Sequence, residues 1–187
     1  MIEHLSNKKV VLDTCFIGAL LNRQHSHHRR ANEIYDTLTD KSHSVQIMIP
    51  TIVLAEMSGL GLEENAVNDF LKSGHFQIKA HTSRPAYDTK PVMGILKSCG
   101  RSEYKRNRNS NDYGKKWDEF TDDIKIITIA KNIGADYILT FDKFFIESSA
   151  ELNAAGYYET KAVDISTNEG LAELNGGQSS LPFNDEL

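Results

Sequence analysis

Four carboxylates, Asp13, Glu56, Asp123 and Asp142, stand either just beyond a short apolar run or on the apolar side of a helical segment. Acids placed in this way are candidates for the chemistry of hard divalent cations. Oxygen-only ligation suits Mg²⁺ or Mn²⁺, which keep several waters and bind substrate phosphates. A cation so held can position a water nucleophile, polarise a scissile phosphate and neutralise the leaving oxygen. Phosphodiester hydrolysis is the natural reaction of such a site.

Each acid alone has an ordinary structural use. Asp13 follows Val10-Val11-Leu12, and Asp142 lies shortly after Tyr137-Ile138-Leu139, positions where Asp often makes turns. In 121–133 the apolar stripe runs Ile126, Ile127, Ala130, Ile133, and Asp123 shares its side. Asp122 is rotated by about 100° and suits an N-terminal cap or an assisting role. Glu56 lies between Ile52 and Leu60 at helical spacing, again on an apolar face. An ionised carboxylate turned toward a core is costly without a cation, donors or water, the plain alternative being a rim position or a salt bridge. No Lys or Arg of these segments is an obvious partner for each acid. Taken together, the four point to one shared crevice.

The elements that must position them alternate. Strands are expected at 10–12, 45–49, 76–80, 137–139 and 158–165. Helices are expected at 28–38, 51–60, 63–71, 85–97 and 121–133, the last stopped by Gly134. Unbroken apolar runs predict strands covered on both faces, as in a parallel sheet. The fold class is α/β, a three-layer α/β/α arrangement around a central parallel sheet of about five strands. In open sheets of this class the functional crevice lies beyond the carboxyl ends of the strands, where Asp13 and Asp142 fall.

The 187 residues suit one domain, spanning 1–166, followed by an acidic tail at 167–187 expected to be disordered. The tail holds four acids and no Lys or Arg; removing its −4 from the net −5 leaves −1 on the body. A nearly neutral body is compatible with a local basic surface for nucleic acid. The stretch 98–116 is poor in apolar residues and reads as an exposed basic loop or insertion. Its Arg101, Lys105, Arg106, Arg108, Lys115 and Lys116, with Tyr104, Tyr113 and the following Trp117, could grip single-stranded RNA through phosphates and stacking. Glu103, Asp112 and Asp118 dilute that charge, and a solvated loop is the plain alternative. Two cysteines outside any CxxC pair argue against a disulfide scaffold or structural zinc. No apolar run reaches a membrane span and no signal-peptide stretch is seen, so the expected location is the cytoplasm.

Three segments together resemble PIN-domain ribonucleases, and more narrowly the VapC-type toxins of bacterial toxin–antitoxin pairs. They are Val10-Val11-Leu12-Asp13-Thr14, Ile49-Pro50-Thr51-Ile52-Val53-Leu54-Ala55-Glu56, and Asp123 through Ala130 with Gly134-Ala135-Asp136 and Thr140-Phe141-Asp142-Lys143-Phe144. The resemblance implies a compact α/β/α fold. It also implies a Mg²⁺ or Mn²⁺ site in which Asp13, Glu56, Asp123 and Asp142 are both metal-binding and catalytic, with Thr14 and Thr140 assisting through their hydroxyls. Asp123, three before Ile126 and seven before Ala130, matches the family's third acid better than Asp122 does. RNA is the implied substrate and a small antitoxin protein the implied partner; a homodimer is compatible with this reading. The 98–116 stretch and the acidic tail are departures that weaken the toxin role more than the nuclease fold. RNA processing, DNA repair and catalytically silent nucleic-acid binding are the alternatives.

His25, His27 and His28 beside Arg29 and Arg30 lack the spacing of a transition-metal site and read as a surface loop near the crevice. Gln178-Ser179-Ser180-Leu181-Pro182-Phe183 resembles the motif that docks on the replication sliding clamp, with Gln178, Leu181 and Phe183 as its anchors, although such hexamers arise by chance. A haloacid-dehalogenase-like phosphatase would need an Asp where Cys15 stands. A phosphoacceptor receiver would need adjacent acids where Asp13-Thr14 stands.

Overall fold

The computed structural model describes residues 5–99 and 117–174. They form five strands and eight helices: β1 (Lys9–Leu12), α1 (Thr14–Leu21), α2 (His28–Thr39), β2 (Gln46–Pro50), α3 (Thr51–Met57), α4 (Glu64–Ser73), β3 (Phe76–Lys79), α5 (Ser83–Ser98), α6 (Trp117–Asn132), β4 (Tyr137–Thr140), α7 (Lys143–Ala154), β5 (Lys161–Asp164) and α8 (Asn168–Leu174). All strand pairs are parallel, in the order β3-β2-β1-β4-β5. The result is the expected three-layer α/β/α arrangement.

Strand order creates the site. From β1 the chain winds outward through β2 to the β3 edge, then returns to place β4 on the other side of β1 and continues to β5. The connections leaving β1 and β4 therefore diverge, and a crevice opens beyond their carboxyl ends. Val10, Val11 and Leu12 of the central strand are fully buried, as an unbroken apolar run predicts. The edge strand β3 is half exposed, with Ile78 open to solvent.

Two local devices fix the ends of α6 and β4. Gly134 (φ 61°) takes the left-handed conformation after α6; its N–H donates to Lys131 O at 3.0 Å and that of Ala135 to Ala130 O at 2.9 Å. This paired closure is a Schellman cap. Asp136 then accepts from the Lys9 backbone N–H at 2.9 Å and from Lys8 Nζ at 2.8 Å, tying the entry of β4 to the start of β1. Against the upward push of partial burial, Lys8 and the backbone N–H and charge of Lys9 hold the Asp136 carboxyl below its usual range.

Several boundaries differ from the sequence expectation. Helix α6 begins at Trp117 rather than at 121, so Asp122 lies within it rather than capping it. Its apolar contact is also broader than one stripe: Ile124, Ile126, Ile127, Ile129 and Ala130 are all buried. Helix α3 ends at Met57, and its core contacts are Val53 and Met57, while Ile52 is half-buried and Leu60 exposed. Helices α1 and α7 were not among the expected helical spans. The start of the stretch expected to be disordered, 168–174, is instead the helix α8, which buries Leu171 and Leu174. Gly170 makes that docking possible: a Cβ there would lie 1.9 Å from the Asp164 carbonyl oxygen. Most of the basic stretch, including Arg101 through Lys116, and the clamp-like hexamer 178–183 lie outside the described residues.

Candidate functional site

Asp13 leaves β1 and caps α1. Its Oδ1 accepts the Phe16 backbone N–H at 2.8 Å, satisfying one of the donors that the first turn of a helix leaves unpaired. Its Oδ2 accepts the Thr140 hydroxyl at 2.6 Å. Thr140 ends β4, is completely buried, and accepts the Asp142 backbone N–H at 2.8 Å. One threonine thus links the two strand-end acids. The Cys15 thiol, 3.1 Å from both Asp13 oxygens, also accepts the Phe141 N–H at 3.0 Å.

Burial dominates the electrostatics of Asp13. At 2% exposure its carboxyl is pushed up from 3.8 to about 6, chiefly by loss of water. Hydrogen bonds from Thr140, Phe16 and Cys15 oppose that shift, and the nearby charge of Asp142 adds to it. Burial likewise pushes the Cys15 thiol well above its usual range, with Asp13 reinforcing the effect, so a thiolate is disfavoured.

The helical acids reach the same space. Asp123, on α6, is buried at 6% exposure, and Glu56, on α3, is half-buried and accepts a hydrogen bond from the Thr14 hydroxyl. Asp13, Glu56, Asp123 and Asp142 all line one cleft of about 540 Å³. Asp122 is not among the lining residues and pairs with Lys125 at 2.6 Å. Helical phase thus separates two adjacent acids, one turned to the cleft and one to a surface cation.

The cleft is also lined by Cys15, Asn22 and His25 on the polar side, of which the sequence pattern points only to His25, and by Leu60 and Leu62 on an apolar wall. Cys15 follows Asp13 by two residues, and that spacing is the only sequence signal of its contact with the carboxylate. His25 belongs to the histidine-rich loop expected near the crevice. Both cysteines are free.

The donor set is oxygen-rich and dispersed. Among the described residues no three His, Cys, Asp or Glu side chains are drawn together as a preformed metal cluster. A closed cage of the zinc kind does not fit this arrangement. A hydrated hard cation does, because Mg²⁺ retains several waters and is held directly by only one or two carboxylates.

The architecture can be compared with known proteins. No protein-family model matches the sequence, and no curated protein does. Among solved structures, a chain of VapBC2 from Rickettsia felis, bound to a DNA fragment from their promoter, is similar with a TM-score of 0.51 and 14% identity. That match covers 82% of this chain and 98% of that one. The fold is PIN-like. VapC20 of Mycobacterium tuberculosis, a toxin that cleaves the sarcin–ricin loop, is also similar, with a TM-score of 0.47 and 19% identity over 81% of this chain and 98% of that one. In this PIN-like chain the four acids lie at the switch point of the sheet. Among the described residues no helix is long and apolar enough to cross a membrane.

Proposed function

We propose that this PIN-like chain is a divalent-metal-dependent endoribonuclease whose metal site comprises Asp13, Glu56, Asp123 and Asp142. The observation that carries the reading is their shared cleft, reached from the ends of β1 and β4 and from helices α3 and α6. Four carboxylates facing one space repel one another, and Asp142 already opposes ionisation of Asp13. A cation relieves that repulsion. Mg²⁺ or Mn²⁺, when bound, supplies polarisation of the scissile phosphate and neutralisation of developing charge. Thr140 orients Asp13 through its hydrogen bond, and Thr14 orients Glu56. The likeness of fold to VapBC2 makes a toxin with a small antitoxin partner the preferred setting within this proposal.

The deciding experiment is cleavage of RNA and DNA with and without Mg²⁺ or Mn²⁺, using Asp13→Asn and Asp123→Asn as controls. RNA should be cut only with metal, and either substitution should lower the rate by at least about a hundredfold, as expected when charge stabilisation in the transition state is lost. Undiminished cleavage by both folded variants would remove this site from the reaction.

A further inference from the structure

A group of aromatic rings that metal binding does not explain adjoins the cleft through His25, which lines it, and through Phe141, the chain neighbour of Asp142. Phe141, between Thr140 and Asp142, lies 6.4 Å from the Phe16 ring at 13° and 4.5 Å from the His27 ring at 11°. His25 lies 6.3 Å from Phe141 and 5.7 Å from His27, and itself lines the cleft. Phe16 is buried, whereas Phe141, His25 and His27 are half-buried. A near-parallel run, Phe16–Phe141–His27, is therefore anchored in the core and reaches the surface at His27, with the tilted His25 ring between it and the cleft.

Local structure does not account for His27. It occupies the N-cap of α2, yet its side chain makes no capping hydrogen bond, where Ser, Thr, Asp or Asn would do so. Its backbone N–H instead donates to His25 Nδ1 at 3.1 Å, fixing the two imidazoles relative to one another. Arg23 is exposed in the same loop and provides a cation within the segment. Half-exposed parallel rings with a cation in the same loop are elements by which proteins hold unpaired nucleobases and their backbone.

We infer that His27, backed by Phe141 and edged by His25, forms a stacking platform for a nucleobase of single-stranded RNA whose phosphate is held at the acids. The inference rests on the nuclease reading and adds to it how the substrate is held. A base must be unpaired to offer its face, so the platform selects loops or single strands over duplex. Stacking is tolerant of base identity, so the contribution is to positioning and structural selectivity rather than to sequence.

The test uses the full chain and a short single-stranded RNA containing 2-aminopurine at successive positions. Without divalent metal, binding should quench the fluorophore at one position in the wild type and in His27→Phe, but not in His27→Ala. With Mn²⁺, His27→Ala should raise KM about tenfold, in the range expected for one lost base–aromatic stack, while kcat changes by less than about twofold. His27→Phe should restore KM, which a role specific to imidazole would not permit. Quenching unaffected by His27→Ala, together with unchanged KM, would overturn the platform and leave the nuclease reading intact. Quenching that requires His27 in a protein that cuts no RNA would overturn the nuclease reading and leave the platform standing. Failure to bind or cut single-stranded RNA would overturn both.

Discussion

Asp13→Asn should raise the stability of the metal-free protein at neutral pH and lower it in relative terms once metal is added. Asp13 is buried at 2% exposure and its carboxyl is pushed up to about 6 from 3.8. At about 1.4 kcal/mol per pKa unit, holding it ionised in the fold costs about 3 kcal/mol relative to the unfolded chain. The native state binds more protons than the unfolded state between those values. Stability therefore falls as pH rises from about 4 to about 6, and the loss is complete above that range. Asn keeps its Oδ1 as the acceptor for the Phe16 N–H, but the amide nitrogen that replaces Oδ2 cannot accept the Thr140 hydroxyl, a loss of about 1 kcal/mol. The net gain at pH 7.5 is about 2 kcal/mol, or roughly 4–8 °C in Tm for a chain of this size. At pH 4.5, where native Asp13 is protonated, the gain should vanish or reverse. Calorimetry in a chelating buffer at both pH values measures the difference. Mn²⁺ at about a hundred times its Kd should stabilise the wild type by about 2.7 kcal/mol and the Asn variant far less, inverting their order. A variant that melts below the wild type by the same margin at both pH values would refute the argument that burial of charge, rather than packing, governs this position.

Three further substitutions separate the site from its supports. Thr140→Val should cost roughly 1–3 kcal/mol by denaturant unfolding, since it leaves an Asp13 oxygen and the Asp142 N–H without their shared partner, and should slow cleavage by disturbing both acids. Asp122→Asn should leave metal affinity and cleavage within about twofold and cost under about 1 kcal/mol, because it removes only a partly exposed ion pair with Lys125. Gly170→Ala should destabilise by several kcal/mol or displace α8, since its Cβ would fall 1.9 Å from the Asp164 carbonyl oxygen, while cleavage per folded molecule is unchanged; a neutral effect in thermal unfolding would contradict the close approach.

The parallel sheet was legible because its central strands are continuous apolar runs, and Val10-Val11-Leu12 can hardly be placed elsewhere than in an interior. The placement of Asp123 was also legible, since helical phase alone turns it from Asp122. Glu56 reached the cleft for a different reason from the one its spacing suggested. The helix ends at Met57, and Leu60 is a cleft wall rather than a core residue, so Glu56 is half-buried at a margin. Helix α7 was missed because Lys143–Ala154 mixes Ser, Glu and Asn with its apolar residues, and only docking against β5 reveals which face is inward. The ordered start of the tail was missed for a similar reason. Two leucines and a glycine among acids are a weak pattern until the Asp164 carbonyl lies beneath Gly170.

Topology explains why burial and function coincide at Asp13. A residue at the end of the central strand is enclosed by its neighbours, and here β4 contributes Thr140 from one side while α1 contributes its first-turn N–H from the other. These donors favour the charged carboxylate, but they do not offset the loss of water, because its pKa still rises. The remaining deficit has the sign that a cation would remove, and Asp142 enlarges it. A neutral residue at this position would satisfy the same cap with less cost to the fold. Within the proposed nuclease an acid at this position serves to attract a positive charge to the cleft, and the predicted reversal of the stability order of Asp13 and Asn on adding Mn²⁺ tests that role.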